Sequence, residues 1–317
     1  MKVLLIGAGF WGAKVLNVLK RFKNIDIVIF DSNYDAIKEL IDKNVSIANS
    51  LEESIIDPTI EAVFIITPPN THFEIAKIAL ENNKHVFVEK PMTLSSLGAA
   101  ALNSLARDKN KLLHTDNTFI YTPEINFIKQ IIDFDFIGKI NSFESIRANW
   151  GPFKKDIDVV WDLMTHDISI LNYIIPKRFI LEGVSATGSS QINHNVIEKA
   201  KATLFYSNNF TAYIETSFLH SSKIRKITLN GSKGLLYNDS ASAGNEIVIK
   251  KNNDSHLSTY QTHQLSDALF LEINHFFESI KQDKLTLSNG YEGIETIKIL
   301  EKIGESISRK GEYISND

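Results

Sequence analysis

The amino-acid sequence predicts an α/β chain in two parts, a doubly wound parallel sheet followed by an α+β domain with a large open, mainly antiparallel sheet. Three observations carry that expectation. The first third alternates short β-branched runs with helical patterns, which is the signature of βαβ units. Beyond about residue 120 the strands lengthen, alternate apolar with polar residues and are joined by tight turns. At 317 residues the chain is also longer than one hydrophobic core comfortably serves, so two domains are expected.

Taken in order, Val3 to Ile6 is the first strand, and a helix follows in which Val15, Leu16, Val18, Leu19 and Phe22 recur on one face. Ile25 to Phe30, Ala62 to Ile66, His85 to Val88 and Leu112 to Thr115 are the further strands, nearly continuous apolar runs suited to a sheet covered on both faces. A helix over His72 to Asn82 separates two of them. In the second part the strands are Ile140 to Asn149, Ala200 to Tyr206, Phe210 to Phe218, Ile224 to Asn230 and Glu246 to Lys251. Ser207-Asn208-Asn209 and Gly231-Ser232-Lys233-Gly234 form tight turns. Helices are expected over Val159 to Ile174, Asp267 to Lys281 and Tyr291 to Ser308. The resulting division is 1–120, 121–290, and a final helical segment 291–317 that returns to the first domain.

Composition narrows the chemistry. Hydrophobic residues make up 43% and charged residues 23%, ordinary values for a folded chain. Asp and Glu outnumber Lys and Arg by 38 to 34, a net charge of −4 that offers no global basic field to a nucleic acid. There is no cysteine, so disulfides, Cys-based zinc sites and thiol nucleophiles are excluded. No apolar stretch approaches the roughly 20 residues of a membrane-spanning helix, and a cytoplasmic location is the expectation.

Gly7, Gly9 and Gly12 form Gly-x-Gly-x-x-Gly between the first strand and the first helix. The first glycine permits a tight turn, the second lets backbone approach a pyrophosphate, and the third allows close helix–sheet packing. The helix N-terminus adds free N–H groups and a positive dipole end. Asp31 closes the second strand nineteen positions after Gly12, where a carboxylate can bind an adenosine ribose or serve as a helix N-cap. No Arg or Lys stands at Ser32, Asn33 or Tyr34 to receive a 2′-phosphate, which favours NAD over NADP. Phe10, Trp11 and Ser32 join the expected cofactor contacts.

Two further groups bear chemistry. Glu89-Lys90-Pro91 ends a strand at the sheet edge where ligands bind in open α/β folds, and the proline can fix the backbone that aims Lys90, through a cis bond among other ways. A surface lysine at a turn is the alternative. Asp162 and His166 stand four apart on one helix, so a carboxylate can orient an imidazole acting as acid or base; capping or core hydrogen bonding is the alternative. No third ligand is spaced for a metal.

Together, the glycine triplet, Thr67-Pro68-Pro69-Asn70-Thr71-His72, Glu89-Lys90-Pro91 and Asp162-x-x-x-His166 resemble the glucose-fructose oxidoreductase / inositol dehydrogenase / rhizopine catabolism (Gfo/Idh/MocA) family of NAD(P)-dependent oxidoreductases over nearly the whole chain. The resemblance implies a Rossmann domain, an open-sheet domain and a site in the cleft between them. Carried over by position, Lys90 touches nicotinamide ribose and substrate, Asp162 binds substrate hydroxyls and His166 is the acid/base. Thr67, Pro68, Asn70, His72 and Glu89 line the cofactor. Met164 departs from the glycine frequent at that position, which bears on the shape of the substrate pocket.

The segment Arg147-Ala148-Asn149-Trp150-Gly151-Pro152-Phe153-Lys154-Lys155 runs into the helix with Asp162. Arg147, Lys154 and Lys155 could meet a diphosphate, or the lysines could be solvated surface, while Trp150 or Phe153 could stack on a base or sugar. Arg147, Asn149 and Trp150 are thus expected substrate contacts. The segment is similar to family members that act on nucleotide sugars, so a nucleotide-linked hexose is placed ahead of a free sugar or inositol. A non-catalytic NAD-binding regulator of the same fold stays open, although the presence of Lys90, Asp162 and His166 favours an enzyme. The resemblance also suggests a homodimer or homotetramer formed on the exposed face of the second sheet, where Tyr213 and Phe218 could lie, although they could equally fill the domain core.

Overall fold

A computed structural model describes residues 1–38, 40–41, 45–153, 157–193, 196–241, 246–252, 256–262 and 267–316. Lys154, Lys155, His194 and His263 lie outside the described residues. The chain packs as two compact units, Met1–Thr118 with Ser266–Ile297, and Phe119–Leu265 with Lys298–Asp317. Compared with an expected division after residues 120 and 290, residues 266–290 group with the first unit and the last helix is shared between the two.

In chain order the first unit contains β1 (Lys2–Ile6), α1 (Phe10–Leu19), β2 (Asp26–Phe30), α2 (Tyr34–Lys38), β3 (Val45–Ile47), α3 (Leu51–Ile56), β4 (Ile60–Ile65), α4 (Pro69–Glu81), β5 (His85–Glu89), α5 (Ser96–Asp108) and β6 (Leu113–Asp116). The strands form one sheet in the order β3-β2-β1-β4-β5-β6, every pair parallel. Strand order therefore reverses between β1 and β4, the switch point at which such sheets bind dinucleotides. Both faces are covered, and Val3, Leu4 and Leu5 of β1 are wholly buried, as the continuous apolar run requires.

The second unit begins with a 3₁₀ turn from Phe119, then α6 (Pro123–Asp133), β7 (Ile140–Trp150), one π-helical turn (Val160–Met164) continuing into α7 (Thr165–Ile174), β8 (Leu181–Ser189), β9 (Lys199–Tyr206), β10 (Phe210–Ser217), β11 (Leu219–Gly231), β12 (Gly234–Asp239), β13 (Glu246–Lys251) and β14 (Leu257–Gln261). After these come α8 (Ala268–Gln282), α9 (Gly290–Ser308) and the short β15 (Ile314–Ser315). The nine-stranded sheet runs β14-β13-β12-β11-β7-β10-β9-β8-β15, antiparallel except for the β7–β10 pair. Alternation along β7 sends Phe143, Ser145 and Arg147 inward and leaves Glu144 and Ile146 on the open face. Tyr213 is exposed on that sheet, whereas Phe218 is buried in the core.

In the first unit α8 packs on α1, with Phe22 stacked on Phe270 at 4.8 Å between ring centres. The first turns of α9 press closely there too: a Cβ on Gly293 would stand 2.9 Å from Met92 Cε and from Thr115 Oγ1. Among the described residues no helix is long and apolar enough to cross a membrane.

Candidate active site

In the first unit the glycine turn shapes a cavity of about 660 Å³. Gly7 has φ +99°, and a Cβ there would collide with the carbonyl of Ile66. A Cβ on Gly12 would collide with the Gly7 carbonyl, so this position sets the closeness of α1 to β1. Gly9 differs: its backbone is extended and nothing stands within 4 Å of its missing Cβ. That open space, at the uncapped N-terminus of a ten-residue helix, fits a pyrophosphate that must approach backbone N–H groups. Asp31 accepts from Ala8 N–H at 2.6 Å and from Asn33 N–H at 2.8 Å, so the turn and the end of β2 are tied together.

Nine of the expected cofactor residues line this cavity: Gly7, Gly9, Phe10, Trp11, Gly12, Asp31, Ser32, Thr67 and Pro68. Four others do not. Asn70 is exposed at the start of α4, and His72 is fully buried. The His72 ring lies 2.8 Å from the carbonyl oxygens of Pro91 and of Thr67, bracing the segments that leave β5 and β4. Burial pushes its pKa down, with the Lys90 ammonium adding to the effect. Glu89 ends β5 and Lys90 follows it directly. Burial and the neighbouring Asp116 carboxylate hold the Glu89 carboxyl well above the usual range, against the pull of Lys90. The Lys90–Pro91 peptide is cis.

Spacing alone did not reveal the polar network behind this edge. Trp11 Nε1 donates to Asp116 at 2.7 Å, anchoring the cavity wall to the end of β6. Burial, with Asp116 adding to it, raises the pKa of Glu272, which accepts from Asn117 N–H at 2.8 Å and contacts His114 Nε2 at 3.0 Å. His114 lies in the core, stacked on Phe87, and does not line the cavity.

In the second unit Asp162 sits in the π turn and His166 in the first turn of α7. Asp162 is buried, and His166 packs against the Phe119 ring at 4.8 Å between centroids. Met164 points into the hydrophobic core, so its bulk is absorbed by packing. Arg147 is buried as well, with Nε and Nη2 donating to Asp167 at 2.7 and 3.3 Å. Asn149 spends its amide on the Gly151 carbonyl and on Arg225 Nη2. Trp150 is 63% exposed, edge-on to Phe153 at 5.4 Å. Sequence reading missed Phe119, Asp167 and Arg225. Only Asp167 carried a local signal, as the acid directly following His166.

Residues 1–117 match the family described as an oxidoreductase family with an NAD-binding Rossmann fold, and residues 125–237 match the GFO/IDH/MocA C-terminal domain. UDP-N-acetylglucosamine 3-dehydrogenase of Acidithiobacillus ferrooxidans is 34% identical over 112 residues, which is 35% of this chain and 34% of that protein's length. Its solved structure covers 98% of each chain with a TM-score of 0.86 at 22% identity. The scyllo-inositol 2-dehydrogenase (NAD(+)) of Bacillus subtilis is 24% identical over 250 residues, covering 73% of this chain and 71% of that one. A levoglucosan dehydrogenase in complex with NADH and levoglucosan superposes with a TM-score of 0.87 at 19% identity, over 99% of this chain and 98% of the other. At such identities the superpositions speak to fold. With both domain matches in register and an NAD-fitting turn at the switch point, the chain belongs to the Gfo/Idh/MocA family of NAD-binding oxidoreductases.

Proposed function

We propose that the protein transfers a hydride between NAD and a secondary alcohol or ketone of a sugar, with a nucleotide-linked hexose as substrate. Bound NAD supplies the hydride acceptor or donor at its nicotinamide ring. The chain's part is binding, orientation and proton transfer. His166 takes the hydroxyl proton in the oxidative direction and returns it in the reverse one. Asp162, one helical turn before it, binds substrate hydroxyls and orients the imidazole. Lys90, whose charge reaches both Glu89 and His72, binds the ribose and the reacting oxygen. Its segment is held by the His72 brace on the Pro91 carbonyl.

The observation that carries the nucleotide-linked reading is the exposed Trp150, edge-on to Phe153 on the segment leading toward Asp162 and His166, an aromatic surface on which a base or sugar can stack. The UDP-sugar dehydrogenase relative supports it. A free sugar or inositol is the second reading, favoured by the inositol dehydrogenase relative that aligns over 73% of the chain.

The test is NADH absorbance during incubation with NAD and a panel of UDP- and dTDP-hexoses, free hexoses and inositols. A nucleotide-linked hexose is expected to turn over with the highest kcat/KM, and His166→Asn and Lys90→Ala to lose about 10²- to 10⁴-fold. Faster turnover of an uncharged sugar removes the nucleotide from the reading. Full activity in His166→Asn removes the acid/base assignment.

A further inference from the structure

The second unit holds a cavity of about 400 Å³ that has no part in the dinucleotide site. Arg147, Arg225, Lys223 and Lys226 supply the basic part of its wall, and Asp167 and Glu124 the acidic part. Four cationic side chains therefore face two carboxyl groups. The imbalance is sharpest at the two arginines.

Arg147 is 4% exposed, so its charge is almost wholly removed from water. A guanidinium has five N–H donors. Asp167 accepts from Nε and Nη2, and the Phe119 ring covers the guanidinium at 4.4 Å. Nη1 is buried and has no hydrogen-bond partner among the described residues. A buried charged donor left so costs more than a neutral one.

Arg225 stands directly opposite Arg147 in the β11–β7 register. Like charges in that position destabilise an antiparallel pair. Among the described residues Arg225 donates to neutral acceptors, the carbonyls of Ala148 and Ile224 and the side-chain oxygen of Asn149. Burial and the Arg147 charge pull its pKa down to about 10, while Asp167 pushes the other way. Asp167 thus acts on two partly desolvated guanidinium groups at once.

We propose that this cavity is an oxyanion-binding site, in which a carboxylate or phosphate group seats on Arg147 Nη1 beside Arg225. Such a group accepts from the unsatisfied donor and neutralises the second positive charge, and arginine is the side chain suited to both tasks. The volume lies within the range of small-molecule pockets, so part of the molecule bearing the oxyanion also fits. Phe119 packs on Arg147 with its ring and also touches His166, so the anion is either a group carried by the sugar substrate or a free ion bound beside it. The argument is independent of the hydride-transfer reading.

The test is calorimetric titration of inorganic phosphate into the full chain without NAD, with chloride at matched ionic strength as control. Wild-type protein is expected to bind one phosphate saturably, and Arg225→Met to weaken that binding about tenfold or more. Arg225→Met keeps the Arg147–Asp167 pair, and Arg147→Lys, which retains charge but loses the fork, serves as the second variant. Melting curves establish that both are folded. Displacement of phosphate by a hexuronate or a UDP-hexose, but not by an uncharged hexose, identifies a substrate-borne group. Phosphate binding that none of them displaces identifies a free anion. Absence of saturable phosphate binding, or binding equal in wild type and both folded variants, overturns the proposal. Because turnover is not read, these outcomes are separate from any failure of the dehydrogenase reading.

Discussion

The two units bury their polar groups by opposite means. In the first, the His114 ring lies between the Thr286 hydroxyl and the Glu272 carboxyl, all three buried. Burial pushes His114 well below its usual pKa and Glu272 well above. Burial thus weighs against the charged form of both partners, although their geometry matches an ion pair. In the second unit Arg147 and Asp167 are equally buried, and an arginine cannot shed its proton. A charge thus remains there and must be compensated by geometry. The first unit offers a ligand an uncapped helix start and glycine surface, whereas the second keeps buried positive charge.

The largest effect should come from breaking the ionised pair. Asp167→Asn removes the carboxylate that Arg147 pairs with, and removing one partner of a buried pair costs about 3–5 kcal/mol. Urea unfolding followed through Trp150 and Trp161, both in the second unit, reads this. A loss under about 1 kcal/mol would mean that Arg147 is solvated after all, and the contrast between the units would fall.

The matching substitution in the first unit should change the pH profile more than the stability. Glu272→Gln replaces a carboxyl whose pKa burial raises by a neutral amide of the same shape. In wild type the folded pKa of Glu272 lies above the usual 4.5, so its contribution is full below 4.5 and is lost as pH rises toward the folded value. His114 has its folded pKa below the usual 6.5, so stability falls as pH drops below 6.5. Glu272→Gln should flatten the alkaline side of a melting-temperature profile and leave the acid side in place. An unchanged profile would show that Glu272 is ionised in the folded chain.

These networks also mark the limit of what the sequence discloses. Gly7, Gly9, Gly12 and Asp31 were legible because a turn, a helix start and a strand end are local, and their spacing encodes the geometry. Long apolar strands were legible for the same reason. The three-residue β3 is too short to carry a period, and β8 is broken by Gly183 and Gly188. Helix α6 did carry its signal, with Thr122 as N-cap, Pro123 in the first turn and Ile125, Ile128 and Ile132 at helical spacing. The pairing of His114 with Glu272 spans 158 positions, and nothing local to either residue points to the other. Asn149 was legible as polar, but the sequence does not say that its amide is spent within the fold. Phe119 joins His166 to Arg147 through packing alone, and an aromatic at a domain junction has no spacing rule.

The smallest effect on stability should come where the first unit depends most on bare backbone. Gly9 needs neither positive φ nor close approach within the chain, so Gly9→Ala is sterically free in the folded protein. Replacing a glycine at such a position changes stability by less than about 1 kcal/mol, and toward stabilisation, because the unfolded chain loses freedom. The added methyl nevertheless enters the cavity where the pyrophosphate must approach. Gly9→Ala should melt within a few degrees of wild type while binding NAD about tenfold more weakly, read by titration and by a smaller NAD-induced rise in melting temperature. Gly12→Ala is the control, since its methyl meets the Gly7 carbonyl and should cost stability even without NAD. If Gly9→Ala bound NAD as wild type does, the dinucleotide would not approach the backbone at Gly9, and ligand recognition in the first unit would have to rest on side chains such as Asp31.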